Sequence, residues 1–218
     1  MTNRRRTAIL ISGRGSNMSA LLQAAADPAY PAEIVLVLSN RADAAGLARA
    51  EAAGISTAVV ESRRWGRDRA AFEVAMEEVL AARGVELIAL AGFMRVLTEG
   101  FTARWAGRML NIHPSLLPAF PGLDTHARAL AAGVRLHGCT VHLVTPGVDE
   151  GPIIAQAAVP VLMDDSEATL AARVLEQEHR LYPAALGWVA SGIARLDDGR
   201  VVLHAPPGPS AGALRNPG

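Results

Sequence analysis

The chain has 218 residues, half of them hydrophobic and 19% charged, a globular composition that excludes a disordered or low-complexity protein. Lys plus Arg equals Asp plus Glu at 21 each, so no basic field draws nucleic-acid phosphate, and nucleic acid is not an expected partner. The single cysteine, Cys139, excludes an internal disulfide framework and a cysteine zinc cluster, and it fits a reducing cytoplasm.

After Arg4, Arg5 and Arg6 the apolar run "TAILIS" stops at Ile11, so an export signal is not expected. No stretch reaches the ~18 consecutive apolar residues of a membrane span. Short apolar runs then alternate with helical patterns. "AILIS" at 8–12, "EIVLVLS" at 33–39, "STAVV" at 56–60 and "VELIALAG" at 85–92 read as strands, with helices over 16–27, 41–53 and 66–83 between them. This alternation predicts an α/β fold: a Rossmann-like, doubly wound, mostly parallel sheet. The runs are continuously hydrophobic, as in strands covered on both faces.

A further strand is expected over 108–113. "GCTVHLVT" at 138–145 and "IIAQAAVPV" at 153–161 flank the turn "PGVDEGP" and predict an antiparallel C-terminal extension of the sheet. Cys139, with Val141 and Leu143 beside it, reads as a buried strand thiol. A long helix is predicted from an N-cap at Asp165 or Ser166 to about residue 190. One domain is expected over 1–204, followed by a disordered Pro/Gly-rich tail over 205–218.

"SGRGSN" at 12–17 joins the first strand to the first helix, where free backbone N–H groups and the helix dipole favour an anion. Gly13 and Gly15 allow close approach, and Ser16 and Asn17 add donors or cap the helix. A dinucleotide fingerprint fails, because its third glycine falls on Met18 and the second strand ends in Ser39 and Asn40 instead of an acid. The Lys-Ser/Thr ending of an ATP-type loop is also missing. An anion cradle for one phosphate and a ligand-free turn remain the alternatives.

"NIHPSLLPAFPGLDTH" at 111–126 places Asn111 and His113 two apart on a strand, so both side chains share a face while Ile112 takes the other. Neither suits a buried strand without a polar partner. Pro114, Pro118 and Pro121 stiffen the following loop, with Leu117–Pro118 a candidate cis bond. His126, His137 and His142 show no metal-ligand spacing with His113, and no metal is expected. Asp149 lies in a glycine-rich turn after a strand, either solvated or functional. Glu178 falls on the inward side of the last helix, where a carboxylate needs a cationic or hydrogen-bonding partner, either an internal one or a ligand amine.

"LISGRGSN", "LAGFMRVL", "NIHPSLLPAFPGL", "VTPGVDEGP" and "EQEHRLYP", in this order over residues 7–190, resemble the folate-dependent phosphoribosylglycinamide formyltransferases. The resemblance implies formyl transfer from 10-formyltetrahydrofolate to the amine of glycinamide ribonucleotide in purine synthesis, without a metal, by a cytoplasmic monomer or homodimer. It places the catalytic trio on Asn111, His113 and Asp149. The phosphate loop falls on Gly15, Ser16 and Asn17, and the acid near the substrate amine on Glu178. Folate contacts fall on Arg69, Met94, Arg95, Val96 and Leu97 as well as Asn111. Asp124 stands where the family usually carries a histidine, and Arg14 where asparagine is common.

Three rivals share parts of this pattern. A formyltetrahydrofolate deformylase would ordinarily carry an extra N-terminal regulatory domain, and a methionyl-tRNA formyltransferase a C-terminal RNA-binding domain. A non-catalytic folate or phosphate-ligand sensor on the same fold would not need Asn111, His113 and Asp149 together.

Overall fold

A computed structural model describes residues 4–204; the expected tail over 205–218 lies outside the described residues. Seven strands form one sheet in the order β3-β2-β1-β4-β5-β6-β7. They are β1 (Arg5–Ile11), β2 (Ala32–Ser39), β3 (Thr57–Val59), β4 (Leu87–Leu90), β5 (Met109–His113), β6 (Leu136–Leu143) and β7 (Ile153–Pro160). Pairings from β3 to β5 are parallel, while β6 runs antiparallel to both β5 and β7, as the change in hydrophobic texture predicts.

Helices α1 (Ser16–Ala25), α2 (Ala45–Ala52) and α3 (Arg69–Ala82) follow the first three strands. Continuous hydrophobicity now has its explanation. Ile9 and Ile11 of β1 enter a core that also holds α1 and the last long helix, whereas Ala8 and Leu10 enter the opposite core with Phe72, Met76 and Leu80 of α3. The same alternation divides β5: Leu110 and Ile112 face the first core and Met109 the second, so Asn111 and His113 share Met109's side of the sheet.

Two short helices were not anticipated, α4 (Glu99–Arg104) and α5 (Thr125–Ala131). Two turns or fewer leave too few apolar repeats to register as a period. The long helix α6 (Glu167–Ser191) starts at Ser166, whose hydroxyl accepts from Thr169 N–H in a capping box. Asp165 instead binds Arg173 through two oxygens, at 2.7 and 2.8 Å. Fully buried Tyr182 donates from its hydroxyl to the carbonyls of Leu90 and Leu110, which fixes α6 beneath β4 and β5.

A hairpin of β8 (Ala194–Asp197) and β9 (Arg200–Leu203) was also missed. Its signal is Asp198-Gly199: both residues have positive φ, 43° and 74°, the condition for the two-residue turn that matches strand twist. Among the described residues, no helix is long and apolar enough to cross a membrane.

Cys139 is fully buried on β6, and burial, with the charge of Glu178 adding to it, pushes its thiol up to about 12. Ellman's reagent is therefore expected to find no reactive thiol in the folded protein at pH 8 and one after denaturation. Rapid labelling of the native protein would contradict this placement.

Candidate active site

The carboxyl ends of the parallel strands β4 and β5 open into a cavity of about 610 Å³. Its walls come from three loops, after β4, β5 and β6, in the crevice position where open α/β sheets bind ligands. Asn111, His113, Asp149 and the whole segment Met94–Leu97 line it.

His113 is 5% exposed, and both ring nitrogens face acceptors. Nε2 lies 3.0 Å from the Phe120 carbonyl, which can only accept, so this nitrogen carries a proton. Nδ1 lies 3.3 Å from Asp149 Oδ2. A carboxylate facing the second nitrogen suits a ring protonated at both positions.

Asp149 has a left-handed backbone (φ 57°), and its Oδ2 accepts from Gly122 N–H at 2.9 Å. Burial pushes its carboxyl upward, but the Gly122 N–H and the neighbouring His113 outweigh burial and hold it below the usual carboxylate range. His142 Nε2 is 3.7 Å from Asp149 Oδ1, beyond hydrogen-bond distance.

His142 was missing from the sequence-derived site. The antiparallel register sets it directly opposite Asn111, and the Asn111 amide nitrogen lies 3.2 Å from His142 Nε2. His142 Nδ1 lies 3.0 Å from the carbonyl of Leu143, so Nδ1 carries the proton and Nε2 accepts from Asn111. This orients the amide and leaves its second N–H for the cavity.

The proline loop is tied down from the neighbouring strands. Thr140 on β6 donates to the Ser115 carbonyl at 2.7 Å and accepts from Leu117 N–H at 3.0 Å, while Gln156 of β7 donates to the Leu117 carbonyl at 2.8 Å. The Leu117–Pro118 bond is cis, as anticipated. Asp124, also on the cavity wall, adopts φ 55° at the start of α5 and makes no side-chain cap.

Behind this wall, His126 and His137 meet edge to face at 5.3 Å between ring centres. Burial, reinforced by His126, drives His137 down to about 4; the Pro114 carbonyl opposes this only weakly, and neither ring nitrogen has a partner at hydrogen-bond geometry. The unfolded chain gains a proton near pH 6.5 that the folded one refuses until about 4, so stability falls as pH falls through this window. His137→Phe is expected to flatten the pH dependence of the denaturation midpoint between 6.5 and 4 by on the order of 1–3 kcal/mol. An unchanged slope would contradict the assignment.

Gly15, Ser16, Asn17 and Glu178 form a separate cluster. Gly15 takes φ 72° at the N-cap of α1 with no side-chain cap, leaving the first-turn N–H groups without intrahelical partners. Asn17 Nδ2 donates to Glu178 Oε2 at 2.7 Å. Burial raises the Glu178 carboxyl and the Asn17 bond partly offsets it. The internal partner of Glu178 is therefore Asn17. Arg69 begins α3 on the exposed surface and does not line the cavity. Among the described residues no group of three or more His, Cys, Asp or Glu is arranged to hold a metal ion.

A mostly parallel sheet carrying an amide, an imidazole and a carboxylate at one cavity is matched by sequence as well: the formyl transferase family model covers residues 5–186, and the chain belongs to that family. It is 43% identical over 196 residues to the phosphoribosylglycinamide formyltransferase of Escherichia coli, covering 90% of this chain and 89% of that protein. The crystal structure of glycinamide ribonucleotide transformylase 1 from Symbiobacterium toebii superposes with a TM-score of 0.89 at 45% identity, over 93% of this chain and 95% of that one. The trifunctional purine biosynthetic protein adenosine-3 of Gallus gallus is 51% identical over 90% of this chain, which spans 20% of that protein's length.

Proposed function

We propose that the chain transfers the formyl group of 10-formyltetrahydrofolate to the amine of glycinamide ribonucleotide, a step of purine synthesis. The observation that carries this reading is the convergence of Asn111, His113 and Asp149 on one cavity, with Asp149 Oδ2 3.3 Å from His113 Nδ1. The cavity's size suits a folate-sized donor, and the exposed Met94 and Val96 with buried Leu97 give it apolar walls.

The amine attacks the formyl carbon and the carbonyl oxygen takes up the negative charge. Asn111, through the N–H not engaged by His142, and protonated His113 stabilise that oxygen. The bond from the formyl carbon to the donor nitrogen then breaks, and the proton lost by the amine is passed to the departing nitrogen. Asp149, 3.3 Å from His113 Nδ1, orients the ring and assists this transfer. The free N–H groups at Gly15, Ser16 and Asn17 hold the substrate phosphate, and Glu178, bonded to the Asn17 amide beside them, is the acid offered to the substrate amine. Arg69, at the exposed start of α3 and off the cavity wall, meets only a part of the donor that extends beyond the cavity.

The test is to incubate the protein with 10-formyltetrahydrofolate, with and without glycinamide ribonucleotide, and follow loss of the formyl group. Acceptor-dependent transfer is expected. Acceptor-independent release would identify a deformylase, and binding without turnover a sensor.

A further inference from the structure

The wall segment at residues 93–97 is held from both ends by buried polar groups that touch no part of the cavity themselves. At the first end is Ser12, 7% exposed, whose hydroxyl accepts from Met94 N–H at 2.7 Å and donates to Asn40 Oδ1 at 2.6 Å. Asn40 passes the contact on to Ser62 at 3.1 Å, and both are buried. At the second end is Glu73 of α3, a carboxylate only 2% exposed. Its Oε1 accepts from Thr98 N–H at 2.6 Å and its Oε2 from the Thr98 hydroxyl. Thr98 in turn caps α4.

Between these anchors, Met94 and Val96 are 67% and 56% exposed and Arg95 lies between them on the cavity wall. Ordering such an irregular segment costs backbone entropy at every residue, which a ligand must supply unless the protein already has. A buried carboxylate and a buried Ser-Asn-Ser relay are costly to place; here Thr98 satisfies the carboxylate, and the relay, bonded within itself, has its outward bond to Met94 N–H.

We propose that Ser12 and Glu73 are positioning residues for the formyl donor, fixing the segment 93–97 in its binding shape before the donor arrives. The inference rests on the donor assignment above. Ser12 also sits one residue before the glycine loop, but the backbone bond from Ser12 N–H to the Gly92 carbonyl, 3.1 Å, survives loss of the hydroxyl. Removing the hydroxyl thus frees Met94 and leaves the loop tethered.

The experiment compares Ser12→Ala, Glu73→Gln and Glu73→Ala with the parent in steady-state kinetics and in equilibrium binding of tetrahydrofolate, the unreactive product. Ser12→Ala is expected to raise both the donor KM and the tetrahydrofolate Kd about five- to tenfold, with kcat and the ribonucleotide KM within about twofold. Glu73→Gln keeps a carbonyl oxygen for Thr98 N–H and should change donor binding less than Glu73→Ala. A purely structural loss would instead lower the active fraction, and so kcat, with both KM values unchanged. That pattern, or unchanged donor binding in all three variants, overturns the proposal. A parent protein that fails to bind tetrahydrofolate overturns the donor assignment itself.

Discussion

His113→Ala is expected to lower kcat by about 10³ or more while the folded protein keeps its circular dichroism spectrum. The variant loses the charge nearest the developing oxyanion, and such a donor typically contributes ~10²–10³ in rate. Its ring is also the group that Asp149 faces at 3.3 Å and the Phe120 carbonyl at 3.0 Å, so two acceptors lose their partner together. Asp149→Asn is expected to cost ~10²–10³. It keeps an oxygen for Gly122 N–H but puts a neutral amide opposite His113. Because Asp149 is held below its ordinary 3.8, it stays ionised through pH 5. The stability it contributes is present above that value and lost only as pH falls through the lowered one. Loss of turnover between pH 7 and 5 must therefore come from other groups. Near-normal kcat in a purified, folded His113→Ala or Asp149→Asn protein would remove these residues from the chemistry.

The second large effect is expected at a residue that does no chemistry. A Cβ on Gly151 would lie 1.7 Å from the Leu143 carbonyl oxygen and 3.2 Å from His142 Nδ1. Both obstacles are buried, and the carbonyl belongs to the backbone that orients His142, so neither can swing aside. Gly151→Ala should destabilise the fold by about 3 kcal/mol, read as a lower denaturation midpoint, and should also reduce kcat in the fraction that remains folded. Gly100→Ala is the control, since its added methyl meets nothing nearer than 3.9 Å inside α4. That variant should match or slightly exceed the parent in stability. Equal midpoints for the two variants would show that the close approach at Gly151 is not limiting.

Much of the architecture is legible in the sequence because it depends on local chemistry. Aliphatic runs covered on both faces announce β1, β2 and β4, and Ser166 announces α6 by the capping box it forms with Thr169. Asn111 and His113 stand out because they are poorly suited to a buried strand. What stays hidden depends on pairing across distance. His142 looks like any polar residue of an alternating strand until β5 and β6 are placed in register, which sets it against Asn111 at 31 residues' separation. Glu73 resembles a solvated helix acid, and only the fold brings Thr98 to cover it. Arg69 shows the opposite limit: resemblance assigns it a ligand contact, whereas its place at the exposed start of α3 is off the cavity wall.

The antiparallel pairing of β5 with β6 has a consequence for quality control. Side chains alternate along a strand, so a slip of one residue would turn His142 toward the α6 side and bring Val141 or Leu143 opposite Asn111. The same slip would expel Cys139 and Val141 from their core and break the Thr140 bonds that hold the proline loop. A misaligned chain therefore cannot be well packed and active, or poorly packed and active. For this protein, turnover measures folding fidelity as directly as it measures chemistry.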